Sequence, residues 1–280
     1  MVLKILTINF WGIPILTYKI NERREKLTNY LIKNQLDIIF LQEVWRNKDV
    51  KRLKKTLNNF YINKIPKYKR FLGFIKLNSN GGLVTISKFP IKKSKFYSFK
   101  NIGNKLDEKI GEKGFLVTDI LFNNEKIKLI NLHLAAGESE KDKKVRKDQI
   151  KQIVAYIKIH DLPFIVGGDF NIDSKSKEYR DVKKYFYNLD VSDCYTYDEI
   201  DNIIAKTIHR LINLCGLHIQ KKSKIKIDHI LIRKKDKTKL RFKKSKIIFT
   251  KENFVSDHYG YLLHLLVSWK WPIPNLHFYF

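Results

Sequence analysis

Cysteine, proline and glycine are scarce, at two, six and twelve residues in a chain of 280. Cys194 and Cys215 form no CxxC pair, so neither a disulfide framework nor a structural zinc site is expected, and reduced thiols suit a cytoplasmic address. With so little proline and glycine, no stretch reads as an interdomain linker, and one domain is expected rather than two. Acidic residues are also few, 28 against 56 Lys and Arg, which leaves a formal charge of +28. That excess fits contact with polyanions, either nucleic acid or an anionic membrane face. It fits equally a chain in which Lys, Ile and Asn are abundant throughout, so charge alone selects no substrate. No run of about 18 uninterrupted apolar residues is present to span a bilayer. The nearest approach, Tyr261 to Phe280, is interrupted by His264, Lys270, His277 and two prolines, although Trp269, Trp271, Phe278, Tyr279 and Phe280 suit an interface. A signal peptide is not expected, because residues 2–10 already read as a strand. The patterns GxxxxGK[ST], HExxH and GxSxG are missing, which removes P-loop, zincin and α/β-hydrolase readings.

What is present is a sizeable apolar fraction, 44%, with 13% aromatics, enough for a large core. Leu3 to Phe10 alternates and is rich in β-formers, so a strand is expected there. Asn21 is placed to cap a helix over 22–34, with Leu27, Tyr30, Leu31 and Asn34 on one face. DIIFLQEV, from Asp37 to Val44, is a short, nearly continuous apolar run, as in a strand buried on both sides. Asn47 is then placed to cap another helix, with Val50, Leu53 and Leu57 at helical spacing. Further strands are expected near 82–87, 115–122 and 127–134. A long helix follows near 140–160 with Ile150, Ile153, Val154 and Ile157 as its buried stripe, and Phe164 to Val166 begins another buried strand. Late strands are expected at 226–233, 245–250 and 260–267. The order predicts a layered α/β fold with mixed sheets, its polar residues of interest at strand ends.

Those polar residues are Asn9, Glu43, His133, Asp169 with Asn171, Asp228, and Asp257 with His258. A carboxylate at the mouth of a buried strand, as Glu43 is, requires a partner, and either Mg²⁺ or an Arg or Lys would serve. His133 in NLHL reads as a hydrogen-bonded core histidine or as a site residue. In an extended chain Asp169 and Asn171 point to one side while Phe170 packs the other way; an acceptor and a donor so paired match an attacking water and a phosphoryl oxygen. Asp228 lies inside an apolar strand and needs a partner, and a histidine paired with it becomes an oriented, more basic imidazole. His229 is the adjacent rival, sent by alternation to the opposite face. Lys88 is placed to contact phosphate or to be a solvated lysine.

LTINFWGIP, DIIFLQEVW, GGLVTISKFPI, INLHLAA, VGGDFN, IDHILI and SDHYGYLLHL occur in the order found in the endonuclease/exonuclease/phosphatase superfamily, and the chain resembles that superfamily over residues 2–267. The continuation Asn9-Phe10-Trp11-Gly12-Ile13-Pro14, the sequence Glu43-Val44-Trp45 and the SKFPI segment make it most similar to the Mg²⁺-dependent neutral sphingomyelinases. The resemblance implies a four-layered α/β sandwich, two mixed β-sheets packed face to face with helices outside. Residues 1–268 would form the catalytic domain, and 269–280 an aromatic C-terminal tail. It also implies roles by position. Glu43 would be the principal Mg²⁺ ligand, with Asn9 and Asp257 completing the metal side. Asp169 and Asn171 would orient water or phosphate, His133 would donate to a phosphoryl oxygen, and His258 would be the general base held by Asp228. One or two Mg²⁺ ions, with Mn²⁺ able to substitute, suit this oxygen-rich set better than Zn²⁺.

The first functional reading is therefore a lipid phosphodiesterase that releases ceramide and phosphocholine from a membrane phospholipid. It would make peripheral membrane contact through basic residues, the aromatic tail or the apolar segment 208–219. The alternative is a nuclease using the same site, for which 221–246 offers 13 Lys and Arg but Phe242 alone as a stacking aromatic. A fold that has lost its chemistry is disfavoured because no expected catalytic position is replaced. No protein partner is expected.

Overall fold

The computed structural model describes residues 1–12, 19–63, 68–71, 75–78, 80–103, 111–188, 194–198, 224–237, 239–250 and 253–268. The aromatic tail, the 208–219 segment and Ile13-Pro14 lie outside the described residues. In chain order the elements are β1 (Val2–Asn9), α1 (Ile20–Lys33), β2 (Ile38–Gln42), α2 (Asn47–Thr56), β3 (Tyr61–Ile62), β4 (Tyr68–Phe71), β5 (Ile75–Asn78) and β6 (Val84–Ser87). There follow β7 (Ile91–Ser98), β8 (Gly114–Phe122), β9 (Glu125–His133), α3 (Glu140–Lys158), β10 (Phe164–Asp169), α4 (Lys177–Tyr185), β11 (Phe186–Asn188), β12 (Asp228–Arg233), β13 (Leu240–Ile248) and β14 (Gly260–Val267).

Two six-stranded mixed sheets face each other, in the orders β13-β14-β1-β2-β6-β3 and β11-β12-β10-β9-β8-β7, and β4 pairs with β5 in a separate hairpin. Each large sheet is built around one parallel pair, β1 with β2 and β9 with β10, and its other neighbours are antiparallel. A parallel pair requires a crossover; α1 supplies it in the first sheet and α3 in the second. The α/β sandwich expected from the sequence is therefore the fold found. No described helix is long and apolar enough to cross a membrane.

Strand periodicity sorts the apolar side chains into three cores. Leu3, Ile5, Ile38, Phe40, Leu129, Ile165, Ile230 and Leu263 fill the space between the sheets. The intervening residues Leu6, Ile8, Ile39 and Leu41 face outward onto Leu27 and Leu31 of α1 and Val50 and Leu53 of α2. Ile130, Val166 and Leu231 face outward on the other side, against the predicted stripe Ile150, Ile153, Val154 and Ile157 of α3. Each fully buried side chain of this size contributes about 1.5–3 kcal/mol. Two glycines permit the close packing. A Cβ on Gly167 would stand 2.4 Å from the Phe40 ring across the sandwich, and one on Gly168, at φ +147°, would meet the Leu132 carbonyl oxygen at 2.0 Å.

The helix starts differ from the sequence reading. Asn21 does not cap α1; its carboxamide oxygen accepts from Arg24 Nη2 and Arg52 Nη1, both at 2.7 Å, and the cap position is Lys19. Asn47 is the first residue of α2 rather than its cap, which is Arg46. Ser139, by contrast, closes a capping box with Asp142 at the start of α3.

Candidate active site

The inner faces of the strands are apolar at one end and polar at the other. Along β1 the inward residues run Leu3, Ile5, Thr7, Asn9, and along β9 Ile127, Leu129, Asn131, His133. Register aligns the polar ends: Asn9 stands beside Gln42 in the first sheet, and Asp169 stands between His133 and Asp228 in the second. Because the sheets face each other, the two rows meet. Gln42 Nε2 donates to Asn131 Oδ1 at 2.8 Å, and Asn131 Nδ2 donates to the Leu41 and Val84 carbonyls, each at 3.0 Å.

Asn9 is the bridge. Its Nδ2 donates to Glu43 Oε1 at 2.9 Å and to Asp169 Oδ2 at 3.1 Å, while its Oδ1 accepts from Trp11 N at 3.0 Å, which fixes the orientation of the carboxamide. Asp169 Oδ2 also lies 3.4 Å from His133 Nε2 and 3.8 Å from His258 Nε2. His258 presents Nδ1 to Asp228 Oδ2 at 2.8 Å, both residues being buried. Thr196 supports this pair, its Oγ1 accepting from the backbone of Ile227 and Asp228 at 3.1 and 3.0 Å, and the Tyr197 ring lies 5.0 Å from that of His258.

The electrostatics separate the site into two sides. Burial, reinforced by the neighbouring Asp257 charge, pushes the Glu43 carboxyl up to about 7. Burial opposes the charge on His258, but Asp228, Asp169 and Asp257 outweigh it and raise the imidazole to about 10. Burial also lifts Asp228 to about 6. The pair at neutral pH is thus an imidazolium on a carboxylate, with the proton on the imidazole. His133 is driven down to about 3 by burial and by Lys113, so it is neutral. Burial opposes ionisation of Asp169, and the two imidazoles, Lys113 and Asn9 more than offset it, so this carboxylate titrates below its ordinary range.

Two features fit a divalent cation. Among the described residues Glu43 Oε2 is buried with no hydrogen-bond partner, and the Glu43 and Asp257 carboxylates repel each other. The donors are hard oxygens, which Mg²⁺ prefers. Among the described residues, ligating atoms of Asp169, Asp228 and His258 lie within 4.8 Å of one another. In that trio the His258 and Asp228 atoms nearest each other are already hydrogen-bonded, which suits an oriented imidazole better than a ligand set.

The structure thus brings together Asn9, Glu43, His133, Asp169, Asp228 and His258. Asp257 joins them through its field on Glu43 and His258. Asn171 arrives by a different geometry from the expected extended pair. β10 ends at Asp169, Asn171 takes φ +51°, its N–H donates to Asp169 Oδ1 at 2.9 Å, and its carboxamide donates to the Leu134 carbonyl at 3.0 Å. Phe170 packs into the outer core as expected. Lys88 is not brought to the site: β6 runs antiparallel to β2, and Lys88 Nζ stands 3.8 Å from Asp37 Oδ1 at the opposite end. His229 faces outward, its Nε2 donating to the Ile172 carbonyl at 2.9 Å and its ring stacked on Tyr179 at 4.5 Å. Sequence reasoning missed Lys113, buried with Nζ donating to the Leu134 carbonyl at 2.8 Å, and the Gln42–Asn131 tie. The tie had a signal, since both residues share an inward register with the apolar core of their strands.

The sequence profile described as Endonuclease/Exonuclease/phosphatase family matches residues 6–258. A Phospholipase C of Staphylococcus aureus is 32% identical over 141 residues, 45% of this chain and 41% of that protein. A Sphingomyelinase C of Bacillus cereus is 30% identical over 203 residues, 62% of this chain and 60% of that protein. The chain thus spans less than two thirds of the length of either relative. Among solved structures, SmcL has a TM-score of 0.76 at 19% identity, covering 95% of this chain and 99% of that one. Beta toxin from Staphylococcus aureus with bound magnesium ions has a TM-score of 0.70 at 21% identity, covering 94% and 99%. D. rerio TDP2 complexed with single strand DNA product also has a TM-score of 0.70, at 18% identity, covering 95% and 99%. At these identities the structural likenesses establish the fold, and proteins of that fold handle more than one substrate.

Proposed function

The chain belongs to the endonuclease/exonuclease/phosphatase family, and from that premise we propose that it is a Mg²⁺-dependent phosphodiesterase that hydrolyses sphingomyelin at a membrane surface to ceramide and phosphocholine. The observation that carries the reading is the convergence of the His258–Asp228 pair and the Glu43–Asn9–Asp169 chain of hydrogen bonds in one cluster, with Asp169 Oδ2 3.8 Å from His258 Nε2. The lipid substrate is supported by the sequence relatives, a phospholipase C and a sphingomyelinase C.

Glu43 and Asp257, with Asn9 oriented beside them, would hold the ion. Bound there, Mg²⁺ supplies charge that stabilises the phosphoryl and leaving oxygens and lowers the proton affinity of His258. Asp228 holds Nδ1 of His258 and leaves Nε2 directed at Asp169, so it is His258 in its neutral form that takes a proton from water. Asp169 and Asn171 orient that water. It adds to phosphorus, the bond to the ceramide oxygen breaks, and that oxygen takes up a proton. His133, kept neutral by burial and Lys113, donates a hydrogen bond to a phosphoryl oxygen without competing for the proton.

The test is Mg²⁺-dependent turnover of sphingomyelin vesicles, other phospholipid vesicles and plasmid DNA, with Glu43→Ala and His258→Ala as controls. Phosphocholine release lost in both variants is the expected result. Plasmid nicking with no lipid turnover would transfer the site to nucleic acid, and activity that survives both substitutions would remove the mechanism.

A further inference from the structure

Arg23 stands out among residues outside the reacting set. It belongs to α1, yet it is 1% exposed, driven from the second turn of the helix to the base of the candidate site. Its guanidinium lies 5.3 Å from the centre of the Phe10 ring and 5.4 Å from that of Trp11. Nε donates to the Val255 carbonyl, and Nη2 donates to the carbonyls of Phe10 and, at 3.3 Å, Trp11. These acceptors sit on two separate loops. Phe10 and Trp11 follow β1, where Trp11 N orients Asn9 and Gly12 N donates to the Glu43 carbonyl at 2.9 Å. Val255 is two residues before Asp257 and three before His258.

We infer that Arg23 is a positioning residue, a planar clamp that holds the loop after β1 to the loop before β14 and so sets the separation between Glu43 and Asp257. The inference rests on reading those two carboxylates as the metal side. A planar fork is required because the two loops present carbonyls in different directions, which one ammonium on a flexible stem does not span. The charge has a second effect. Burial lowers the proton affinity of the guanidinium to about 10, while Asp257 and Glu43 keep it ionised, and in return it reduces their mutual repulsion.

Arg233 provides a matched control. It is similarly buried and donates to the carbonyls of His160, Asp161 and Leu162 at 2.7, 3.1 and 2.7 Å. It lies at the far end of β12, five residues and about 16 Å from Asp228. Mn²⁺ binding is measured directly by calorimetry and by the loss of free-ion electron paramagnetic resonance, with thermal unfolding alongside. Arg23→Met is expected to weaken Mn²⁺ binding by about 10- to 100-fold and to lower kcat with little change in KM. Arg233→Met is expected to lower the unfolding temperature and leave Mn²⁺ affinity unchanged. If Arg23→Met does not fold, Arg23→Lys decides, since it keeps the charge and loses the fork. A folded Arg23 variant that binds Mn²⁺ like the unsubstituted protein overturns the clamp, as does an equal loss in the Arg233 variant. Failure of the unsubstituted protein to bind Mn²⁺ overturns the metal reading itself. Normal binding without lipid turnover leaves the clamp standing and removes only the substrate.

Discussion

Replacing Asp228 by asparagine keeps the shape of the side chain while deleting the negative charge that faces His258. Asp228 is fully buried and its Oδ2 accepts from His258 Nδ1 at 2.8 Å, a charge-assisted hydrogen bond contributing about 1.5–3 kcal/mol. With an amide in its place nothing specifies which ring nitrogen carries the proton, and Nε2 is no longer reliably the basic one. The expected loss in kcat is about 10²- to 10⁴-fold, equivalent to roughly 3–5 kcal/mol in the barrier. Stability should change far less. Removing one member of a buried ion pair is usually costly because it strands the other charge, but His258 can discard its proton and become neutral. The carboxylate is itself held at about 6 by burial, so its removal also relieves desolvation. A net change below about 2 kcal/mol is expected for these reasons. The assay pairs initial rates on sphingomyelin vesicles with urea unfolding of the same samples. A folded Asp228→Asn protein within tenfold of the original kcat would refute the role of the pair, and a rate loss matched by unfolding would assign the residue to the fold instead.

Three further outcomes are expected. Gly168→Ala forces a side chain into φ +147° and onto the Leu132 carbonyl, and should destabilise the protein by on the order of 3–4 kcal/mol in urea unfolding; a loss under 1 kcal/mol would contradict the close contact. Lys88→Ala should leave kcat within about twofold because Lys88 lies beside Asp37 at the far end of the sandwich, as steady-state rates would reveal. Chelation should abolish turnover and lower the unfolding temperature, with Mg²⁺ at about 100 times its Kd restoring roughly 2.7 kcal/mol of stability; calorimetry with and without chelator checks the second half independently of activity.

How much of this was legible in the sequence depended on burial. The strands that carry the site alternate or run continuously apolar because both their faces are covered, and β1, β2, β9 and β10 were found within a few residues. β7, with the sequence IKKSKFYS, was missed because it is an edge strand whose outward lysines leave no apolar period. β13 was expected only from 245 and begins at Leu240, for the same reason: Arg241 to Lys244 are exposed. The phosphate-contact reading of Lys88 fails, and the solvated one stands, because proximity to Gly81-Gly82 in sequence does not reveal strand direction. Gly82 packs against Trp45 and Glu43 at the site, and β6 then carries the chain away from it. Lys113 left no sequence signal; nothing in EKGF distinguishes a buried lysine from the many solvated ones.

Why residues scattered from Asn9 to His258 share one end of the sandwich follows from the strand directions. β1 and β2 are parallel, so Asn9 and Gln42 emerge at the same end, and β9 and β10 bring His133 and Asp169 out together in the second sheet. β12 and β14 are antiparallel to these pairs and therefore start where the parallel strands finish, which delivers Asp228 and, just before β14, His258 to that same end. Packing the sheets face to face then turns two rows of strand-end polar groups into one cluster, with the apolar inner core behind it as a low-dielectric floor. The site is thus a consequence of two crossovers and two reversals, and the interior that would make any one of these polar groups costly alone is what makes them strong when paired.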